Sequence, residues 1–377
     1  TALLTELNQC NNSLDEVFEK HGLGTNLESD FYVRIAGDDY RNWLYFICLK
    51  CKADNLQNGY LQFVLDKTSR FEDFGGNVLN AIIDIPHTDK RFPAFYQERK
   101  VLVAKFPESD IAGFVVNNRR VVSESIYKLT DETRVEREEI IASLSNNHVV
   151  SHLDGIYSAL ADYLKKYIFK CPELAGLLTE YFEAYKRQKL SNHLEPAFLE
   201  KVDELALSRK FNRLPTRNEI LDHMDKSDTF LYWVDALGVE YLGLIKALVQ
   251  KRGLSIRVNI ARAQLPTITA INRDFFDAWQ GRKEKNDELD DTKHSDGGGY
   301  NFTTNELPIH LAKELEIIAA MIDKAATELA LRRYKRFLIV SDHGASRLAV
   351  LRRKEEKYDT DTVGEHSGRC CKLFHPY

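Results

Sequence analysis

Beyond about residue 226, short apolar runs alternate with stretches of helical periodicity, and this alternation constrains the fold most. The apolar runs are rich in aromatic and β-branched residues and cover residues 229–234, 255–260 and 336–340. The helical patterns between them cover residues 241–250 and 309–329. Strands that alternate with helices predict a mostly parallel sheet with helices on both faces. We therefore expect an α/β domain over residues 226–377.

Residues 1–225 are predicted to form a mainly helical domain. Between residues 156 and 205, apolar side chains recur at steps of three and four along the chain. Two short apolar runs, at residues 101–104 and 114–116, also fit strands. Nothing in this part combines residues into a catalytic pattern, so we expect it to serve packing or docking.

The composition excludes several classes of protein. The chain has 377 residues, which fits two domains, and a formal net charge of −5, which argues against a generally basic nucleic-acid coat. No apolar run approaches the length of about 18 residues that a membrane span needs. Because the sequence begins with Thr1 and not with Met, we expect a piece of a longer protein, in which the second domain would be truncated.

The cysteines indicate a reducing compartment. There are six, and the only recognisable spacing is that of Cys48 and Cys51. One such pair, without a second pair or a nearby histidine, does not make a zinc site. Since the preceding residues 43–47 are apolar, we interpret both as buried free thiols and expect a cytoplasmic protein.

Polar residues follow two of the predicted strands at the point where each strand ends. Asp235 comes directly after the run at 229–234, and Asp342 with His343 follows the run at 336–340. Ligands of α/β proteins bind just past the carboxyl ends of parallel strands. Carboxylate oxygen and imidazole nitrogen together suit zinc or manganese. The alternatives are a helix N-cap for Asp235, before a helix beginning near residue 239, and a simple turn at residues 342–344.

Two threonines precede a predicted helix start at residues 272–276. A hydroxyl at a helix N-terminus lies in a positive partial field that favours an alkoxide or a phosphate. Thr267 and Thr269 are therefore candidate nucleophiles, although a threonine hydroxyl needs a base or a metal ion to react at neutral pH. Helix capping is the alternative role for these side chains.

Three short motifs carry a family resemblance. In chain order they are Val-Asp-Ala-Leu-Gly at 234–238, Leu-Pro-Thr-Ile-Thr at 265–269 and Val-Ser-Asp-His-Gly at 340–344. Together they resemble the alkaline phosphatase superfamily, and within it the PglZ branch, the phosphatase of BREX bacteriophage-defence systems. The resemblance implies an alkaline-phosphatase-like α/β core over residues 226–377, with a mostly parallel sheet flanked by helices, preceded by the helical residues 1–225.

The resemblance implies a role for each matching residue. Asp235, Asp342 and His343 would bind one divalent metal ion, and Thr269 would be the nucleophile, with Thr267 as the second choice. The metal would be Zn²⁺, with Mn²⁺ and Mg²⁺ as alternatives.

A second ion would take an Asp-x-x-x-His pair and a later histidine. Asp290 and His294 have that spacing, and His366 lies where the later histidine is expected. Asp291 and Asp296 are possible replacements for Asp290. The site would thus hold one or two ions.

The implied activity is that of a metal-dependent phosphohydrolase or phosphodiesterase within an anti-phage defence system. Its substrate would be a phosphate ester, and nucleic acid stays among the candidates although no basic patch is evident. Arg273 is a candidate for binding a phosphate oxygen. Other defence proteins would be its partners. The alternative is a catalytically inactive scaffold that binds metal or nucleotide and assembles a defence complex.

Overall fold

A computed structural model describes residues 2–24, 27–28, 38–121, 123–146, 151–265, 267–293 and 307–344. The fold is mixed α/β, mostly helical, with a small parallel sheet flanked by helices. The chain divides into two compact units, Thr1–Ile140 and Ile141–Tyr377. A domain boundary near residue 225 stays a prediction. No helix among the described residues has the length and apolar character needed to cross a bilayer.

In the described part of the first unit, every regular element is helical. The α-helices are α1 (Ala2–Gln9), α2 (Leu14–Lys20), α3 (Asp39–Cys51), α4 (Gly59–Lys67), α5 (Phe71–Asn80), α6 (Phe92–Val103), α7 (Glu108–Asn118), α8 (Ser125–Lys128) and α9 (Arg134–Ser145), which runs into the second unit. Side-chain caps define several starts: Ser13, Asp38 and Asn58 each accept a hydrogen bond from a backbone N–H of the first turn.

Three expectations for this unit are wrong. The apolar runs at 101–104 and 114–116 belong to α6 and α7 and are not strands. In each run one side chain, Val101 or Val116, is exposed while the apolar residue next to it is buried. A run of three or four apolar residues is too short for its periodicity to distinguish a helix from a strand. Cys48 is buried as predicted, and burial raises the pKa of its thiol to about 11. Cys51, one turn further along α3, is exposed, so the expectation of a buried thiol is wrong for this residue.

The second unit combines helices with three strands. The helices are α10 (Leu153–Ile156), α11 (Ser158–Leu164), α12 (Ala175–Ser191), α13 (Pro196–Ser208), α14 (Arg217–Asp222), α15 (Leu242–Lys251), α16 (Thr269–Asn272), α17 (Asp274–Asp277), α18 (Glu288–Lys293) and α19 (His310–Ala330). The strands are β1 (Thr229–Val234), β2 (Lys283–Asn286) and β3 (Arg336–Val340). Two of the predicted strands and both predicted helices of this region are therefore confirmed.

The sheet is parallel throughout, with strand order β2-β1-β3. The central strand β1 is buried along its whole length. The predicted strand at 255–260 is wrong: that segment is irregular, and Ile256 is 40% exposed. Its place beside β1 is taken by β2, whose sequence Lys-Glu-Lys-Asn has no apolar alternation and so cannot be predicted from hydrophobic periodicity.

A buried ion pair joins the helices before the sheet to the long helix α19. Lys189 of α12 pairs with Glu314 of α19, and both side chains are almost fully buried. The hydroxyl of Tyr241 also donates to Glu314 Oε2. Removing one partner of a buried pair leaves a charge that water cannot reach, which costs far more than losing the pair as a whole.

We therefore expect Lys189→Met to destabilise the protein by about 3 kcal/mol, because the Glu314 carboxylate loses its buried counterion. The double variant Lys189→Met/Glu314→Leu should recover most of that loss. Urea unfolding followed by circular dichroism measures both effects. Lys201→Met, which removes an exposed pair with Glu204 on α13, is the matched control. A single variant no less stable than this control would contradict the role of the pair.

Candidate metal centre

Parallel strands deliver two buried carboxylates to the same edge of the sheet. Asp235 directly follows β1 and Asp342 lies two residues after β3, and their exposures are 3% and 1%. The chain turns sharply after Asp235, since Ala236 has a positive φ of 58°, an uncommon conformation for a residue with a Cβ. The Ala236 N–H donates to Asp342 Oδ1, 3.3 Å away. The two strand ends are thus tied together through one of the carboxylates.

The hydroxyl of Thr269 lies among the acidic residues and His343. It donates to Asp342 Oδ2 at 2.8 Å and lies 3.5 Å from Asp235 Oδ1. His343 Nε2 is 3.2 Å from the same hydroxyl oxygen and 3.2 Å from Asp342 Oδ2. Three segments that are distant in sequence therefore meet at one point, as the polar residues at the strand ends predict.

Asp235, Asp342 and His343 can hold a metal ion. Each offers one ligand atom, and these atoms lie within 4.8 Å of one another. Two carboxylate oxygens and an imidazole nitrogen form a donor set that zinc accepts in catalytic sites, where three protein ligands leave a further position open. The donor chemistry therefore fits the expected divalent ion.

The two carboxylates differ in their protonation behaviour. Burial raises the pKa of Asp235 to about 7, and the negative charges of Asp342 and Asp290 add to this rise. The hydrogen bond from Lys285 acts in the opposite direction. Burial also acts to raise the pKa of Asp342, but His343 and the hydrogen bond from Thr269 outweigh it and hold that pKa below its usual value. A divalent cation between the two carboxylates would favour the ionised form of both.

Lys285 is a member of the site that the sequence does not predict. Its Nζ lies 2.7 Å from Asp235 Oδ2, and it also pairs with Asp287. The register of β1 and β2 sets Lys285 opposite Trp233, and the ammonium lies over the Trp233 ring, 4.3 Å from its centroid. From the sequence alone, a lysine in a run of charged residues is expected to be exposed to solvent. Its place in the site depends on the pairing of β2 with β1.

Arg217 holds the backbone that carries these groups. Its guanidinium, buried at the start of α14, donates to the carbonyl oxygens of Ser341 at 3.0 Å, Asp342 at 2.7 Å and Asn272 at 2.7 Å. Asn272 in turn donates to the carbonyl of Ile268 at 3.1 Å. Arg217 thereby links the segment after β3 to the segment around Thr269. Contacts from a side chain to distant carbonyls leave no pattern in the sequence.

Of the other candidate residues, those that the structure describes lie outside the cluster of three ligands. Asp290 lies on α18 and is partly exposed, although its charge contributes to the raised pKa of Asp235. Asp291, its possible replacement, is exposed. His294, Asp296 and His366 lie outside the described residues, so a second ion stays a prediction.

The structure separates several alternatives. Thr267 is exposed, whereas Thr269 is the threonine with hydrogen bonds to the acidic residues. Asp235 does not cap a helix, because the next helical turn, a 3₁₀ helix at Val239–Tyr241, has Gly238 at its N-cap. Arg273 lies on the surface, where it pairs with Asp277 at 3.1 Å.

Comparison with known proteins adds little about the site. A family model described as a domain of unknown function (DUF7863) matches residues 1–147, which cover the helical first unit and not the candidate centre. No curated protein is significantly similar to the chain. No solved structure is significantly similar to it either.

We expect Arg217→Met to weaken zinc binding by about 10-fold to 100-fold, because the carbonyls that orient Asp342 and the Thr269 segment lose their common donor. Competition with a chromophoric chelator measures the dissociation constant. Arg213→Met is the matched control, since Arg213 is exposed and pairs with Glu173. Equal zinc affinities for the two variants would show that Arg217 does not organise the site.

Proposed function

We propose that this protein is a metal-dependent phosphohydrolase or phosphodiesterase with Thr269 as its nucleophile. One observation carries the proposal: the Thr269 hydroxyl lies 2.8 Å from Asp342 Oδ2 and 3.2 Å from His343 Nε2, inside the group of metal-ligand atoms. A hydroxyl held beside a cation site has what a weak nucleophile requires.

The residues around the hydroxyl fit one divalent ion, with zinc as the first choice and manganese or magnesium as alternatives. Asp235, Asp342 and His343 would hold it. When bound, the ion supplies positive charge that lowers the pKa of a nearby hydroxyl and offsets the charge on a phosphoryl group. The family resemblance also implies a second ion at Asp290, His294 and His366, but the proposed reaction does not require it.

The proposed reaction begins at the Thr269 hydroxyl, which Asp342 Oδ2 orients by accepting its hydrogen bond at 2.8 Å. The Thr269 oxygen attacks phosphorus, its proton passes to solvent, and the bond from phosphorus to the leaving oxygen breaks. The leaving oxygen takes a proton from solvent. Water then attacks the phosphothreonine, the bond between Thr269 and phosphorus breaks, and the Thr269 oxygen takes a proton from solvent. The water contributes its hydroxyl to the released phosphate and one proton to solvent.

The family assignment is part of the proposal. The three motifs that resemble the alkaline phosphatase superfamily, and its PglZ branch, include the residues that converge at the sheet edge. That convergence supports an alkaline-phosphatase-like core, although the described sheet has only three strands. On this reading the protein acts in the cytoplasm within an anti-phage defence complex, and its helical part docks onto other defence proteins. The substrate is a phosphate ester.

We expect the full chain with added zinc or manganese to hydrolyse p-nitrophenyl phosphate or its diester. Thr269→Ala should lower kcat/KM by at least about 10³-fold, because the nucleophile is lost. Thr267→Ala, two residues away, is the matched control and should keep wild-type turnover. Zinc affinity and circular dichroism show whether each variant is folded and loaded.

Two outcomes would contradict the proposal. If Thr269→Ala and Thr267→Ala lose activity equally while both bind zinc, Thr269 is not the nucleophile. If wild-type protein with full metal occupancy hydrolyses neither ester, the scaffold hypothesis is preferred, in which the same centre holds metal for assembly alone.

A further inference from the structure

The two carboxylate oxygens of Asp235 face different neighbours. Asp235 Oδ1 faces the ligand cluster, 3.5 Å from Thr269 Oγ1 and 3.8 Å from His343 Nε2. Asp235 Oδ2 instead accepts from the Lys285 ammonium at 2.7 Å. The carboxylate therefore lies between a position suited to a metal ion and a position already held by a cation.

The structure fixes the Lys285 ammonium at that second position. The β1–β2 register sets Lys285 opposite Trp233, and the Asp235 N–H donates to the carbonyl of Asn286 at 3.0 Å, which extends the strand pairing to the site itself. The ammonium contacts Asp235, Asp287 and the face of the Trp233 ring, and the Lys285 side chain is 29% exposed. These three contacts hold the ammonium beside Asp235.

A neighbouring lysine shows that this placement is not a general property of the strand. Lys283 lies two residues earlier on β2, so it points to the same face of the sheet. Its ammonium donates to the carbonyl of Phe276 at 2.7 Å and lies 4.9 Å from the centroid of the Phe276 ring. Lys283 thus has the same type, strand and face as Lys285, but its partners are backbone and an aromatic ring.

We propose that Lys285 takes the place of a second metal ion, so that the centre binds one divalent cation per chain and acts on an anionic phosphate ester. The inference rests on the proposed function. In two-metal sites, a pair of ions a few ångströms apart offsets the charge of the phosphoryl group. Here one divalent ion is balanced by Asp235 and Asp342, and Lys285 supplies the further positive charge on the other side of the shared carboxylate. A second divalent ion beside that ammonium would be repelled by it.

The zinc content of charge-reversed variants tests this directly. A glutamate is shorter than a lysine by one atom, so an ion held by the glutamate oxygen in Lys285→Glu would lie about where the ammonium does. Zinc per chain, measured by equilibrium dialysis with elemental analysis, should be one for the wild type and two for Lys285→Glu. Lys283→Glu, the matched control, should bind one. Two ions in the wild type, or one in Lys285→Glu, would overturn the inference.

A second variant tests the contribution to turnover. Lys285→Ala should bind one zinc ion or more, yet lose about 10²-fold in kcat on p-nitrophenyl phosphate, because the positive charge on the other side of the Asp235 carboxylate is missing. Lys285→Arg should retain part of the rate, and Lys283→Ala all of it. Wild-type kcat in Lys285→Ala would overturn the role. If the wild type binds one ion but hydrolyses no ester, the proposed function fails, while the zinc content of Lys285→Glu still decides where the second cation lies.

Discussion

Two buried carboxylates at one edge of a parallel sheet are the constraint on which the candidate site depends. Burial, together with the charge of nearby Asp342, raises the pKa of Asp235, and both carboxylates are almost fully removed from solvent. Like charges in such a position are costly unless a cation accompanies them. The Lys285 ammonium contacts Asp235 Oδ2. A divalent ion would bind the other oxygen of Asp235 and one oxygen of Asp342.

Some of the surrounding groups contact the two carboxylates directly, and others contact the neighbouring backbone. His343 and Thr269 contact the carboxylates themselves, whereas Arg217 donates to backbone carbonyls of the segments that carry Asp342 and Asn272. Ala236 has a positive φ, and its N–H donates to Asp342. Local strain of this kind persists where the surrounding structure holds it, and it is common at functional sites. The fold itself thus brings these groups together.

The sequence is sufficient to predict part of this arrangement. Strands β1 and β3 are apolar runs that end in acidic residues, and parallel strands end at one edge, so the meeting of Asp235 with Asp342 follows from local pattern alone. Strand β2 does not follow, because its residues are charged and its place depends on pairing with β1. The segment at 255–260 has the alternation of a strand but stays irregular and largely exposed. Lys285 and Arg217 act through tertiary contacts, which neither periodicity nor spacing encodes.

The central claim is that Asp235, Asp342 and His343 form one cation site beside the Thr269 hydroxyl. Anomalous diffraction from crystals soaked in zinc tests it most directly. We expect a strong peak at about 2.0–2.2 Å from one atom of each of these three side chains. A zinc peak that involves other residues, with none between Asp235 and Asp342, would contradict the account.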